Sequence, residues 1–398
     1  MARDGLAVLP GSMSREARLL LQLAANRLGD PATAHLATGG QDWDRFTGLA
    51  EREVMLPAAW RRLTRVTGFK EDAPAVERLR TLAMVHEFRL RSRFDLLARG
   101  LAALEAAGIP VLVLKGGGLA ISRYADPLDR AMSDHDLLVA PEQAEAARRV
   151  LGQEGWFWPV EPGTEERYRR HHHLPPLHRT GGDSTTIELH VGLFAPDCPI
   201  QLRPEDVRAS ALVVRFHGMD VRVPDAEYQL LHAALHYGYS HMFLRGGARF
   251  LSDLEVLVGS GVDWDRFLGL ARRSRAARCC HWALWIGREV GGVPVPEGVL
   301  AALGEGRLGP FPRLAMRYVA GTLVEEEYGS PSTGLQRWLW ELTAGPGVSG
   351  HGAIRPWDLD PERPGDHDAA SQGRLGTLRR ALGQPAPWLR FAKAMLGR

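Results

Sequence analysis

Cysteine is scarce in this chain: 398 residues carry only Cys198, Cys279 and Cys280. So few, at irregular spacing, exclude a disulfide framework and a zinc knuckle. Cys279 and Cys280 fall in a helical pattern and read as small buried thiols. Long apolar runs are lacking too. No stretch approaches the ~20 residues of a membrane span, and the apolar run near the start is too short for a secretory segment. The expected location is the cytoplasm. Net charge is only +2, so there is no electrostatic case for nucleic acid or an anionic membrane as partner. The glycine stretch in "VLVLKGGG" is neither G-x-x-x-x-G-K-[ST] nor G-x-G-x-x-G with an acidic residue ~20 further on.

What is present is an ordinary globular composition, 45% hydrophobic and 24% charged, long enough for about two or three domains on a prior of roughly 100–200 residues each. Residues 1–108 read as helical, ending in a long helix that stops at Gly108 as a glycine C′ would. Residues 109–223 change period. "IPVLVL" is a buried strand, "DHDLLVA" a second, "PEQAEAARRVLGQEG" a helix with Pro141 near its first turn, and "TTIELHVGLF" another strand, with "TGGDS" as a hairpin signal before it. Residues 224–344 return to helix, and 345–398 are Pro/Gly-rich linker with a short basic amphipathic end, expected to pack on the body. The fold class expected is α+β, a small mixed sheet flanked by helical regions.

The stretch "LVLKGGGLAISRYADPLDRAMSDHDLLV" raises the functional question. Three glycines follow a strand and open a helix, where backbone N–H groups can approach an anion. Lys115, Arg123 and Arg130 surround them. Asp134 and Asp136 are two apart on a strand, so alternation places both carboxylates on one face. Such a pair repels unless a cation or donors intervene, and Mg²⁺ takes carboxylates together with phosphates. Each signal alone is also met by a glycine turn or a solvated acid pair. Glu188 adds a third acid on an apolar strand, where an unpaired carboxylate is costly. Thr186, Glu188 and His190 share its face.

Glycines at a strand-to-helix turn, D-h-D on the next strand and a lone acid on a later strand resemble the DNA polymerase β-like nucleotidyltransferase superfamily. "VLKGGGLA…Y…DPLDRAMSDHDLLV" followed by "IELHVGLF" is more closely similar to its bacterial family of unassigned substrate, often found near peptide natural-product and polysaccharide genes. The resemblance runs over about 14–258, with a fainter extension to 292. Two features depart from the superfamily pattern: a longer gap between glycines and aspartates, and His135 where an apolar residue is usual. His135 is expected to point to the sheet's other side.

The resemblance implies transfer of a nucleoside monophosphate, most simply AMP from ATP, to a hydroxyl or phosphate of a small molecule or peptide. Asp134, Asp136 and Glu188 would hold Mg²⁺ or Mn²⁺, and Glu188 would help deprotonate the acceptor. Gly116, Gly117 and Gly118 would cradle the β/γ-phosphates, with Lys115, Arg130 and Ser133 completing the nucleotide site. No nucleic acid or membrane partner is implied.

Nine of the fifteen histidines lie between 171 and 241. His173, His190 and His236 are candidates for the acceptor pocket or phosphate contacts; the plainer alternative is satisfied or exposed imidazoles. His232 and His236 have the spacing of H-E-x-x-H, but position 233 is Ala, so the general base of a zinc hydrolase is missing. Asp253 reads as a buried helix carboxylate with a basic partner. Two other functions stay open on sequence alone: a non-catalytic nucleotide-binding regulatory subunit, which the three acids argue against, and a DxD metal-dependent glycosyltransferase, for which the sheet region is too short. Finally, "DWDRFTGLA" at 42–50 is echoed by "DWDRFLGLA" at 263–271. A true duplication would require matching flanks, and the flanking sequences do not match.

Overall fold

The computed structural model describes residues 13–158, 168, 171–179, 185–196, 198–304, 310–321, 323–324 and 333–343. The hairpin signal at 180–184 and the region 345–398 lie outside the described residues. Among the described residues, no helix is long and apolar enough to cross a membrane.

The architecture is α+β. Six strands form one mixed sheet: β1 (Leu112–Val113), β2 (Asp134–Leu138), β3 (Leu177–Arg179), β4 (Thr185–His190), β5 (Leu212–Phe216) and β6 (Met219–Val223), in the order β3-β4-β2-β1-β6-β5. The two central acid-bearing strands, β2 and β4, are parallel. β1 is antiparallel to β2 and parallel to β6. β5 and β6 form a hairpin whose corner is His217–Gly218, both at positive φ (47° and 81°), the backbone of a two-residue turn that matches strand twist. Only two residues of the apolar run at 109–114 are strand. The run is nevertheless largely buried.

The period of two decides what each face of the sheet touches. Leu137, Val139, Ile187 and Leu189 enter one apolar cluster with Leu90, Phe94 and Leu97 of the long helix Glu77–Ala106 and with Ala147 and Leu151 of helix Ala144–Gln153. His135 joins that side, fully buried, with Nε2 3.1 Å from the Arg93 carbonyl and its ring 6.5 Å from Phe94. Gly108 follows the long helix at φ 68°, as the sequence indicates. The alternate residues, Asp134, Asp136, Glu188 and His190, are left for the opposite face.

That face looks towards the remaining helices. Helices before and after the sheet share one core, which runs from Leu19, Phe46 and Leu63 to Leu231, Leu254 and Trp282. Buried polar ties cross between them. The Arg62 guanidinium donates to the carbonyls of Leu23 and Ala24 and to Ser252 Oγ at 2.8–3.0 Å. Glu53 Oε2 accepts from the Ala248 N–H (2.9 Å) in the first turn of helix Gly247–Gly259.

The echoed nonapeptide starts two equivalent helices, Trp43–Arg52 and Trp264–Arg273. Asp42 and Asp263 cap them, accepting from the N–H three residues on. Each Asp also donates its own N–H to a glutamate of an earlier helix: Asp42 to Glu16 (3.1 Å) and Asp263 to Glu227 (2.9 Å). Glu16 and Glu227 are both the second residue of a capped helix, Arg15–Ala24 and Ala226–Leu235. Phe46 and Phe267 are fully buried, each beside its Trp in an edge contact. The repetition is thus a helix pair tied by one acid, although the intervening sequences differ.

Candidate active site

β2 and β4 set the acids against each other by register. Asp136 is the direct partner of Glu188 and Asp134 of Thr186. Asp136 is buried; Asp134 and Glu188 are half-buried. His190, two residues beyond Glu188 and fully buried, brings Nε2 to 2.8 Å from Asp136 Oδ1 and 3.3 Å from Glu188 Oε2. Lys115 Nζ lies 2.6 Å from Asp136 Oδ1 and 3.7 Å from Glu188 Oε2. It reaches there because Lys115 adopts the left-handed backbone conformation (φ 43°) at the first residue of helix Lys115–Ser122. A non-glycine residue at that φ costs free energy, and such strain clusters at functional sites.

Burial works against every charge in this group, and the partners decide the outcome. Burial alone would raise Asp136, but Lys115 and the His190 hydrogen bond hold it well below the ordinary carboxylate value. Glu188 is lowered in the same way: burial pushes it up most, but Lys115, the His190 hydrogen bond and His173 together outweigh it. Burial would lower Lys115, yet Asp136, Glu188 and Asp134 keep its ammonium protonated. Asp134 goes the other way: burial and then the charges of Asp136 and Glu188 push it up. A carboxylate raised by like charges is one a cation would relieve. The oxygen donors of Asp134, Asp136 and Glu188 therefore suit a hard divalent ion, and Asp136, Glu188 and His190 offer donor atoms within 4.8 Å of one another.

The glycines sit inside the first turn of helix Lys115–Ser122, and close packing dictates them. A Cβ on Gly116 would meet the Arg130 guanidinium at 3.1 Å, on Gly117 the Val113 side chain at 3.0 Å, and on Gly118 the Val113 carbonyl oxygen at 2.5 Å. Gly118 N–H donates to Leu114 O, closing the turn, so the N–H groups before it have no intrahelical acceptor.

The other sequence candidates divide. Arg130 is buried and committed, with Nε and Nη2 on the two Asp253 oxygens (2.6 and 2.8 Å) and Nη1 on the Ala131 carbonyl (2.7 Å). Tyr124 also donates to Asp253 (2.7 Å). Asp253 is thus the buried helix carboxylate with a basic partner that the sequence indicates. Arg61 ion-pairs with Asp126 and Asp129. The long glycine-to-aspartate gap is therefore a strap that fastens the sheet to the helices on both sides. Arg123 Nε is turned to Gln229 (2.8 Å). Ser133 is exposed and its hydroxyl donates to Asp134 (3.2 Å).

His232, His236 and His241 approach from the helical side. Helix Ala226–Leu235 continues into a π-helical turn at His236–Ser240, an irregularity frequent at functional sites. The His236 ring lies 4.3 Å from that of His241 and 6.4 Å from that of His232. Burial, with the Lys115 charge adding to it, holds His232 down to about 3, so it is neutral at physiological pH.

Sequence reasoning missed Arg249. It lies on helix Gly247–Gly259, among Arg130, Asp253, Asp134 and Glu53, and its pKa is lowered by burial first and then by Arg130. No described carboxylate is bonded to it. The signal was the lone basic residue of an apolar helix, four before Asp253.

Carboxylates on paired parallel strands, opposite a strand-to-helix turn in an α+β fold, are an arrangement able to hold a cation beside a phosphate. A family model described as "Uncharacterised nucleotidyltransferase" matches residues 39–292, well over half of the chain, and the chain belongs to that family. Its general role is nucleotidyl transfer, with an NTP as substrate class. No curated protein and no solved structure gives a significant match.

Proposed function

We propose that the chain transfers a nucleoside monophosphate, AMP from ATP in the simplest case, to a hydroxyl or phosphate of a small molecule or peptide, with Mg²⁺ or Mn²⁺. The observation that carries this reading is the register of β2 on β4, which sets Asp136 opposite Glu188 with Asp134 one pleat away. In such a reaction the acceptor oxygen attacks the α-phosphorus. A new P–O bond forms, the bond to the β-phosphate breaks, and pyrophosphate leaves with that electron pair.

Asp134, Asp136 and Glu188 would hold the divalent ion, which supplies charge stabilisation at the phosphate oxygens. Glu188 takes the acceptor's proton and passes it to solvent. Lys115 is the main charge holding Glu188 down, so Glu188 gains basicity as Lys115 turns to the incoming phosphates. Arg249 supplies a second cation to the triphosphate, and the N–H groups of Gly116 and Gly117 face it at a helix start. His190 orients Asp136 and Glu188. These contributions are positioning and electrostatics, which dominate phosphoryl transfer.

The test is pyrophosphate release and acceptor mass shift with each NTP and either ion. Asp134→Ala and Asp136→Ala should each lower the rate at least about 100-fold, the range for losing a key electrostatic group. Variants as active as the parent chain would refute the assignment. NTP binding without turnover of any acceptor would instead mark a regulatory nucleotide-binding subunit.

A further inference from the structure

Three consecutive imidazoles stand beside the carboxylates, and nucleotidyl transfer does not require them. His171, His172 and His173 have ring centroids 4.1–5.0 Å apart. Their backbone is fastened to the end of β4: Leu174 N–H donates to Leu189 O, and the N–H groups of Val191 and Gly192 both donate to His172 O (2.9–3.0 Å). His173 bridges to His190. The backbone that carries the rings is therefore held in place by main-chain bonds.

We propose that His171, His172 and His173 bind a transition-metal ion, Zn²⁺ foremost, at a nitrogen site separate from the oxygen site of Asp134, Asp136 and Glu188.

One nitrogen of each imidazole lies within 4.8 Å of the other two. Zn–N bonds of about 2.0–2.1 Å in a tetrahedron place ligand nitrogens about 3.3–3.4 Å apart, so modest ring rotation closes the set. The nitrogens are also available. His171 Nδ1 and His172 Nδ1 are buried with no hydrogen-bond partner among the described residues, a state that costs free energy until something satisfies them. His173 Nδ1 lies 2.7 Å from the Leu174 carbonyl. That bond requires the proton on Nδ1 and leaves the Nε2 lone pair free, the arrangement that orients metal-bound histidines elsewhere.

The same Nε2 lies 3.8 Å from Glu188 Oε2, so the nitrogen site would adjoin the oxygen site without sharing its carboxylates. Imidazole favours zinc and its neighbours, whereas carboxylates with phosphates favour Mg²⁺. Three histidines with a fourth position open is the donor count of a site that also takes water or substrate.

The test uses the full, untagged chain, stripped of metal with chelator. It is titrated with Co²⁺, read by its visible d–d bands, then with Zn²⁺ in competition. One equivalent of Co²⁺ should give bands that Zn²⁺ displaces and millimolar Mg²⁺ does not. X-ray absorption of the Zn²⁺ form should show three imidazole nitrogens. His171→Ala with His172→Ala should weaken binding at least tenfold, and Asp134→Asn should leave it intact. No bands, a first shell without imidazole, or bands lost in Asp134→Asn and kept in the histidine variant would overturn the proposal. The absorption measurement needs no variant, so a histidine variant that fails to fold does not blunt it. NTP turnover is not read, so failure here leaves the transferase reading standing, and the reverse.

Discussion

Arg249 is the residue on which the nucleotide reading presses hardest. A half-buried guanidinium with no described carboxylate bonded to it can take an anion, and in the nucleotide reading that anion is the triphosphate. Arg249→Ala should raise KM for NTP about 10- to 100-fold, the range of a charged hydrogen bond of roughly 1.5–3 kcal/mol, with a smaller effect on kcat. Arg249→Lys should recover part of the loss. Steady-state pyrophosphate release measures both, and an unchanged KM would remove Arg249 from the site. His281 gives a residue-scale test away from the centre. Burial lowers its pKa, and its Nδ1 lies 2.9 Å from the Leu300 carbonyl. The unfolded chain takes up a proton near pH 6.5 where the folded one resists. The stability it contributes is therefore full above that pH and is lost as pH falls towards the folded value. His281→Gln should flatten the fall in urea midpoint between pH 7.5 and pH 5. Equal falls in both proteins would show that His281 is not responsible.

At the scale of elements, the strand-to-helix turn before the acids is tuned by contact. Gly118→Ala drives a methyl against the Val113 carbonyl oxygen and should cost about 1–3 kcal/mol, the range for overpacking. Gly48 is an exposed helix residue with open space around it, and Gly48→Ala should stabilise by about 0.5–1 kcal/mol. Thermal unfolding of the two variants gives opposite signs if packing is the reason for the glycines of the turn. This explains what was legible in the sequence. Period-two alternation is local, so the shared face of Asp134 and Asp136, the opposite direction of His135 and the face of Glu188 and His190 could be read directly. The helix stop at Gly108 is local as well. The approach of Lys115 to Asp136, the Arg130–Asp253 pair and the pairing of His173 with His190 join residues separated in the chain, and no local pattern encodes them. The repeated helix pair escaped because its link, Glu16 in one copy and Glu227 in the other, lies outside the matching nonapeptides.

For the whole molecule, the Arg130–Asp253 pair is the buried ion pair among the fastenings between sheet and helices. Removing one partner leaves a buried charge uncompensated, so Arg130→Met should cost about 3–5 kcal/mol. Combining it with Asp253→Leu should return much of that loss, because an apolar pair of similar volume is often no worse than a buried ion pair. Urea denaturation of both single variants and the double gives the coupling, and strict additivity would contradict a direct pair. The fastening also governs traffic through the centre. The carboxylates lie on the sheet face that looks towards the helices, beside the very seam that Arg130 and Asp253 close. Hinging the sheet away from the helices would tear two charges apart in an apolar interior. The proposed nucleotide would then reach the carboxylates by side-chain rearrangement around the histidines and Lys115. Such a route would suit the proposed nucleotide and a slender acceptor, a metabolite or the end of a peptide, better than a folded protein surface.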